Sequence, residues 1–185
     1  MTDEEIIALF FERSERAISE LAKMHGAAVG RIALNILGDA EDAEECVNDT
    51  WLGVWNSIPP ARPSPLRTFV CRIARNLAIK RYHAERAQKR NSRYDLALDE
   101  LAECLPDRGS VEDSIEAKEL AGTINAFLDT LPYVDKFLFM RRYWYAESLS
   151  EIAEMAGMRC GTAAVRLHRV REKLRDYLKK EGVPV

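Results

Sequence analysis

The sequence predicts an all-α fold of two small helical domains joined by an acidic linker. Apolar residues recur every three or four positions along most of the 185 residues, which is typical of amphipathic helices. No alternating apolar and polar run and no hairpin turn signal is present, so no β-strand is predicted. An acidic, weakly periodic stretch separates the two halves. It predicts domains at residues 1–90 and 112–185, with an unpacked linker at 91–111. The alternative for LALDELAECL at 96–105 is one or two marginal helical turns.

The first domain is expected to hold four helices, over residues 3–24, 27–37, 40–57 and 66–89. Gly38 is expected to end the second helix, and Asp39 is a suitable N-cap for the third. The prolines of IPPARPSP at 58–65 exclude a helix between the third and the fourth. The residues of the third helix predicted to face inward are Ala43, Val47, Trp51, Leu52 and Trp55.

The second domain is also expected to be helical, with elements at residues 112–130, 133–144, 149–156 and 161–180. Ser148 and Glu151 have the spacing of a capping box, which predicts a helix that begins at residue 149. Gly157 can adopt the positive φ that ends this short helix.

Residues 149–174 predict a helix-turn-helix, which presents its second helix to the major groove of DNA. The small Ala153 lets the two helices cross closely. Arg166 is expected to reach a base edge, because arginine pairs well with guanine, whereas Arg169 and Lys173 are expected to hold phosphates. The other candidate DNA contacts are Arg159, Cys160 and Thr162. The alternative is an ordinary helical hairpin with a solvated basic face.

Charge is segregated along the chain, although the formal net charge is only −3. Residues 1–61 carry a net charge of −8, 62–93 of +9, 94–121 of −7 and 122–185 of +3. Blocks of alternating sign predict separate surfaces, basic ones for phosphate and acidic ones for another partner.

The predicted fourth helix is the most basic element. Its exposed arc is expected to include Arg72, Arg75 and Tyr82, and a basic track with an aromatic ring suits nucleic acid. The alternative is a solvated basic helix. The third helix has the opposite sign, with an acidic face that favours a protein partner. A Mg²⁺ or Ca²⁺ site is the alternative there, but no histidine or EF-hand spacing supports it, so the sequence predicts no metal and no cofactor.

Other protein classes are disfavoured. An enzyme is not predicted, because no nucleophile–base set or phosphate-binding glycine loop occurs. The four scattered cysteines predict reduced thiols. No signal peptide and no apolar run of about 20 residues is present, so a cytoplasmic protein without membrane insertion is expected. A dimeric helix-turn-helix repressor is the alternative function, but it leaves the first domain and its acidic helix unexplained.

Three segments together resemble the extracytoplasmic-function (ECF) group of sigma-70-type bacterial sigma factors. DAEECVNDTWLGVW at 42–55 resembles the family's region 2.2, and FVCRIARNLAIKRYHAER at 69–86 resembles regions 2.3 and 2.4. Residues 131–178 resemble region 4. Each segment is moderately specific, and the three in this order and spacing are highly specific.

The resemblance implies a role in transcription initiation: binding of bacterial RNA polymerase core, promoter recognition and melting of the −10 element. It implies polymerase contacts at Asp42, Glu45, Asn48, Asp49 and Leu52. It implies −10 contacts at Arg67, Thr68, Arg72, Arg75, Asn76, Lys80 and Arg81. The helix-turn-helix would read the −35 element, and an anti-sigma factor is implied as a further partner.

The segments depart from the family's pattern in three places. Phe69 stands where tryptophan is frequent, and Lys80 stands where an acidic residue is frequent. Residues 162–165 read Thr-Ala-Ala-Val where Thr-Val-Lys-Ser is common. The missing lysine removes one expected DNA contact, and Val165 is expected to meet a thymine methyl group instead.

Overall fold

The computed structural model describes residues 1–85, 92–105 and 114–183. These residues contain α-helices and one π-helix but no strand, as the predicted all-α class requires. The chain divides into two compact units, Met1–Tyr94 and Asp95–Val185. None of the helices in the described ranges combines the length and the apolar character that a membrane crossing requires.

The first unit contains four helices: α1 (Asp3–Phe11), α2 (Arg16–Leu37), α3 (Ala40–Ser57) and α4 (Leu66–Glu85). Gly38 ends α2 with a φ of 74°, and the Asp39 carboxylate accepts hydrogen bonds from the amides of Glu41 and Asp42 at 3.0 and 3.1 Å. Both predicted signals are therefore confirmed. The bounds of α3 are also those predicted, and residues 86–89 of the predicted fourth helix lie outside the described residues.

The predicted break between the first two helices is wrong. The chain breaks between Phe11 and Arg16, and α2 continues through Gly26. Arg13 adopts a φ of 54° at the break, where its Nη1 donates to the Trp55 carbonyl at 2.9 Å. Leu21 and Val29 on either side of Gly26 are fully buried, so core packing outweighs the local glycine signal.

The core of the first unit gathers residues from all four helices. The buried apolar residues include Ile6, Phe10, Leu21, Val29, Val54, Leu66, Val70 and Ala74. Trp51 and Trp55 pack against this core, as predicted. The inward placement predicted for Leu52 is wrong, because Leu52 is 60% exposed.

The predicted linker at 91–111 contains a helix, α5 (Ser92–Ala102), and the division between the units falls inside it. Tyr94 is buried in the first unit, whereas Ala97 and Cys104 belong to the core of the second. The prediction of an unpacked stretch is therefore wrong for these residues. Residues 106–111 lie outside the described residues.

The second unit continues with α6 (Ser114–Thr130), α7 (Tyr133–Phe139), a π-helix (Met140–Trp144), α8 (Leu149–Met155) and α9 (Cys160–Lys180). The helix predicted over 133–144 thus changes from α to π geometry partway along. Wider turns of this kind often occur at functional places, and here the turn buries Arg142 and Tyr143. The core residues of α9 are Ala163, Leu167, Val170, Leu174 and Leu178, as its periodicity predicts.

Candidate nucleic-acid and polymerase interfaces

The turn between α8 and α9 has the geometry of a helix-turn-helix. The Ser148 hydroxyl accepts from the Glu151 amide at 3.3 Å, and the Glu151 carboxylate accepts from the Ser148 amide at 2.9 Å. Gly157 follows α8 with a φ of 63°. The capping box and the turn glycine are therefore confirmed, and α9 begins three residues after Gly157.

The predicted DNA contacts of α9 share one surface, here called the reading face. Arg159 and Cys160 lie exposed at its N-terminal end. The rest of the face is a shallow depression lined by Gly161, Thr162, Val165, Arg166, Arg169, Val170, Lys173 and, from α7, Asp135. Val165 is 50% exposed, so an apolar side chain stands among cationic ones. This mixture suits phosphates and base edges together.

Asp135 is the residue of this surface that sequence reasoning missed. Its Oδ1 accepts from Arg166 Nε at 2.8 Å, and the residue is 8% exposed. Thirty-one positions separate the two residues, so no helical spacing relates them. Asp135 also lies in the first turn of α7, where acidic residues are common because they interact favourably with the helix dipole. Its presence there gives no indication of the contact with Arg166.

The α4 helix exposes a row of polar residues at four-residue intervals, namely Thr68, Arg72, Asn76 and Lys80. Arg67 is exposed at the start of the helix. The other two predicted −10 contacts, Arg75 and Arg81, are only partly exposed. Burial lowers the pKa of Arg75, partly offset by the charge of Tyr94 and a hydrogen bond with it. The exposed position predicted for Tyr82 is wrong: the ring is 4% exposed and packs edge-on against Tyr94 at 5.1 Å.

The predicted polymerase contacts lie together on α3. Glu45, Asn48, Asp49 and Leu52 are exposed, and Asp42 is half-buried. Arg81 of α4 reaches this face, with Nη2 at 3.0 Å from Asp42 Oδ1 and 2.6 Å from Glu45 Oε2. One predicted DNA contact is therefore joined to two predicted polymerase contacts.

The proline-rich loop before α4 is anchored on α1. The Arg62 guanidinium lies 3.9 Å from the centroid of the Phe11 ring, a cation–π contact. The Leu66 amide, at the start of α4, donates to Asp3 Oδ2 at 3.0 Å. No local sequence signal relates α1 to this loop, because these partners are more than 50 residues apart along the chain.

A partly buried ionic cluster joins the second half of α5 to the rest of the second unit. The Glu100 carboxylate accepts from Arg142 Nη2 at 2.8 Å, from the Tyr143 hydroxyl at 2.9 Å and from Arg171 Nη1 at 3.3 Å. Burial raises the pKa of Glu100, but these donors and charges outweigh it and the pKa is lowered. Burial and the charge of Glu100 raise the pKa of Tyr143.

Across residues 1–85, 92–105 and 114–183, no three His, Cys, Asp or Glu side chains come together in a way that could hold a metal ion. This holds for the acidic face of α3 as well. Its carboxylates are arranged along the helix, with Arg81 between two of them.

Two family models match the chain. The model for Sigma-70 region 2 matches residues 21–88, and the model for Sigma-70 region 4 matches residues 122–174. The first match contains α3 and α4, and the second contains the helix-turn-helix.

Known proteins resemble most of the chain. It is 28% identical over 164 residues to the ECF RNA polymerase sigma factor SigE of Mycolicibacterium smegmatis, a match that covers 88% of this chain and 62% of that protein. It is 27% identical to the ECF RNA polymerase sigma factor SigL of Mycobacterium tuberculosis, covering 86% of this chain and 87% of that one. A solved structure described as CnrH in complex with the cytosolic domain of CnrY covers 96% of this chain and 97% of its own, at 21% identity and a TM-score of 0.45.

The two family models and the two ECF sigma factors agree with the resemblance found in the three sequence segments. The two family models occur in the same order as the segments and on the units that hold them. The chain belongs to the sigma-70 family, in the ECF group of RNA polymerase sigma factors.

Proposed function

We propose that this chain binds RNA polymerase core through α3, reads the −10 element through α4 and reads the −35 element through α9. The single observation that carries the proposal is that one unit exposes an acidic face on α3 and a basic row on α4. Opposite charges on adjacent helices suit two different partners, because the acidic face repels DNA.

The polymerase surface comprises Asp42, Glu45, Asn48, Asp49 and Leu52. Exposure of Leu52 at 60% supports this role, because an apolar side chain among charged ones is typical of the centre of a protein interface. Arg81 fixes the orientation of the Asp42 and Glu45 carboxylates. We assign Arg81 to this surface as a positioning residue rather than to the −10 element.

The −10 surface comprises Arg67, Thr68, Arg72, Asn76 and Lys80. Their exposure along one helix supports it, since a cationic row with polar side chains can track a nucleic-acid backbone and contact bases. The partly buried Arg75 supports the row from beneath, through its hydrogen bond with Tyr94. The adjacent proline loop, held by Asp3 and Phe11, would shape the site for an unstacked base.

The −35 surface is the reading face of α9, with Arg159, Cys160, Thr162, Val165, Arg166, Arg169 and Lys173. Its position at the N-terminal half of the second helix supports the role, since this part of a helix-turn-helix enters the major groove. The functional units are then the two compact units, Met1–Tyr94 and Asp95–Val185. The second half of α5 belongs to the second unit, because Ala97 is part of the core of that unit.

This role requires no catalysis, metal or cofactor from the chain itself, since the polymerase carries out the chemistry. We therefore propose a non-enzymatic, cytoplasmic protein that works beside the polymerase. An anti-sigma factor is a further proposed partner, and it would compete for the polymerase surface on α3.

The test combines purified chain, purified core polymerase and a pool of genomic fragments in run-off transcription. Variant Asp42→Lys/Glu45→Lys/Asp49→Lys should lose core association on gel filtration and lose specific transcripts. The control, Glu4→Lys/Glu12→Lys/Glu15→Lys, changes the net charge equally at exposed positions of the same unit and should retain both. Unchanged core binding by the first variant contradicts the proposal. Specific DNA binding by a dimer without polymerase would instead favour the repressor.

A further inference from the structure

The reading face contains one buried acid among its cations. Asp135 lies in the first turn of α7, outside the helix-turn-helix, yet its side chain lines the same depression as Arg166, Arg169 and Lys173. The side chain is 12% exposed, so its charge is largely withdrawn from water. A carboxylate beside a surface that binds phosphates lowers the affinity of that surface for DNA of any sequence. Burying the carboxylate also costs free energy, so we expect Asp135 to have a specific role.

The contact with Arg166 engages one particular nitrogen. Arg166 Nε donates to Asp135 Oδ1 at 2.8 Å, which is a good length for a charge-assisted hydrogen bond. A guanidinium has five N–H donors, and four of them belong to the two terminal nitrogens. Bidentate reading of guanine O6 and N7 can use these two nitrogens while Nε keeps its partner.

The carboxylate also restricts the motion of Arg166. The arginine side chain is 39% exposed, and a free arginine of this kind samples many rotamers. A side chain already held in place loses less conformational entropy when it binds. The paired charge of Asp135 also reduces what Arg166 adds to phosphate attraction, so Arg166 contributes more to base choice than to general affinity.

We propose that Asp135 is the positioning residue that sets base specificity at Arg166. It fixes the guanidinium so that its terminal nitrogens meet a guanine of the promoter, and it lowers affinity for unrelated DNA. The inference rests on the proposed function, in which α9 reads promoter DNA.

The test uses full-length chain assembled with core polymerase and a DNA pool randomised across the upstream promoter segment. Bound fragments are sequenced for the wild type, for Arg166→Ala, Asp135→Ala and Asp135→Asn, and for the double variant Asp135→Ala/Arg166→Ala. The base pair read by Arg166 is the one whose preference Arg166→Ala abolishes. Asp135→Ala should reduce the preference at that base pair about tenfold and leave the others unchanged. Asp135→Asn should retain part of it, because the amide oxygen can still accept from Nε.

A second readout separates positioning from a purely structural role. Affinity of the holoenzyme for an unrelated duplex should stay level or rise in Asp135→Ala, because a negative charge has left the reading face. The matched control is Asp129→Ala, which breaks an ion pair with Lys136 of α7 away from the depression. It should leave both the base preference and the affinity unchanged.

Four outcomes would overturn the inference. In the first, Asp135→Ala keeps the guanine preference that Arg166→Ala abolishes, while the proposed function stands. In the second, preference at all positions falls together with affinity for unrelated DNA, which indicates loss of structure. In the third, Asp135→Ala alters base preference in an Arg166→Ala background, which indicates direct reading by the carboxylate. In the fourth, the wild-type holoenzyme enriches no sequence, and then the proposed function fails as well.

Discussion

The carboxylate of Asp3, the first residue of α1, accepts a hydrogen bond from the amide of Leu66, the first residue of α4, with 3.0 Å between Oδ2 and N. An acidic acceptor at a helix N-terminus satisfies a free amide and interacts favourably with the helix dipole. A side chain of α1 thus caps the start of α4, although 63 positions separate these residues.

Replacement of Asp3 should weaken the start of α4. We expect Asp3→Ala to lower the free energy of unfolding by about 1 kcal/mol, measured by urea denaturation. Transcription from promoters that depend on −10 recognition should fall further than core binding does. Asp3→Asn keeps an acceptor and should be intermediate, and Glu4→Ala, at an exposed position, is the control. Equal stability of Asp3→Ala and Glu4→Ala would contradict this role.

Removal of the Glu100 carboxylate should destabilise the second unit. Glu100→Ala leaves Arg142, Tyr143 and Arg171 without their shared acceptor, and we expect a loss of about 2 kcal/mol in urea denaturation. Glu154→Ala, at an exposed position on α8, should change stability little.

The same carboxylate should give a measurable pH dependence. Although burial raises it, the hydrogen bonds and charges of Arg142, Tyr143 and Arg171 lower the pKa of this carboxyl in the folded protein. Its contribution is therefore present above the ordinary carboxyl pKa and is lost as the pH falls through the lowered pKa. The stability difference between wild type and Glu100→Gln should therefore shrink as the pH falls below 4.5. A difference that stays constant down to pH values near 3 would contradict the ionic cluster.

Two glycines in helices should differ in their response to replacement by alanine. A Cβ on Gly53 would lie 3.1 Å from Ile73 Cγ2, so the Ile73 side chain of α4 would have to shift by a few tenths of an ångström, whereas nothing lies within 4 Å of a Cβ on Gly26. Alanine generally favours a helix over glycine by about 1 kcal/mol. We expect Gly26→Ala to stabilise the chain. In thermal unfolding, the free energy of unfolding of Gly26→Ala should exceed that of Gly53→Ala by at least about 1 kcal/mol. The reverse order would refute the close approach.

The four thiols should differ in reactivity. Burial raises the pKa of Cys46 and of Cys104 to about 11, and it also raises that of Cys71, whereas Cys160 is exposed. Iodoacetamide at pH 8 should therefore label Cys160 alone in the folded chain, as read by mass spectrometry of peptides. Labelling should abolish promoter binding by the holoenzyme, and Cys160→Ser should be insensitive to the reagent.

Arg81 and its neighbour Lys80 should affect different partners. Loss of Arg81 frees the carboxylates of Asp42 and Glu45 from their shared cation, so Arg81→Ala should weaken core binding by about threefold to tenfold. Lys80→Ala should leave core binding intact and weaken binding to the −10 element. Titration of labelled core polymerase with each variant measures core affinity. Equal core affinity of Arg81→Ala and Lys80→Ala would contradict the role assigned to Arg81.

Local signals predicted the parts of the fold that depend on neighbouring residues. The Asp39 cap, the Ser148 capping box and the apolar side of α9 follow from spacings of two to four residues, and the structure has all three. The predicted contacts on α9 share a face for the same reason. The family resemblance of three segments was likewise readable from sequence alone.

Long-range contacts account for the rest. Arg166 meets Asp135, Arg81 meets Asp42 and Glu100 meets Arg142 across separations of 31, 39 and 42 positions, for which helical periodicity carries no signal. Tyr82 looked exposed because its ring partner, Tyr94, lies in a stretch predicted to be unpacked. The break before Arg16 contains no glycine or proline that would indicate it in the sequence. Tertiary contacts of Arg13 with Trp55 stabilise it instead.

The cluster around Glu100 determines where this protein can be cut into independently expressed fragments. A clone that starts at residue 112 would discard Glu100, Ala97 and Cys104, and would leave two arginines clustered without their counter-ion. A clone that starts at Ser92 keeps that carboxylate and the apolar residues beside it. The smallest DNA-reading fragment suited to crystallisation or NMR therefore includes α5.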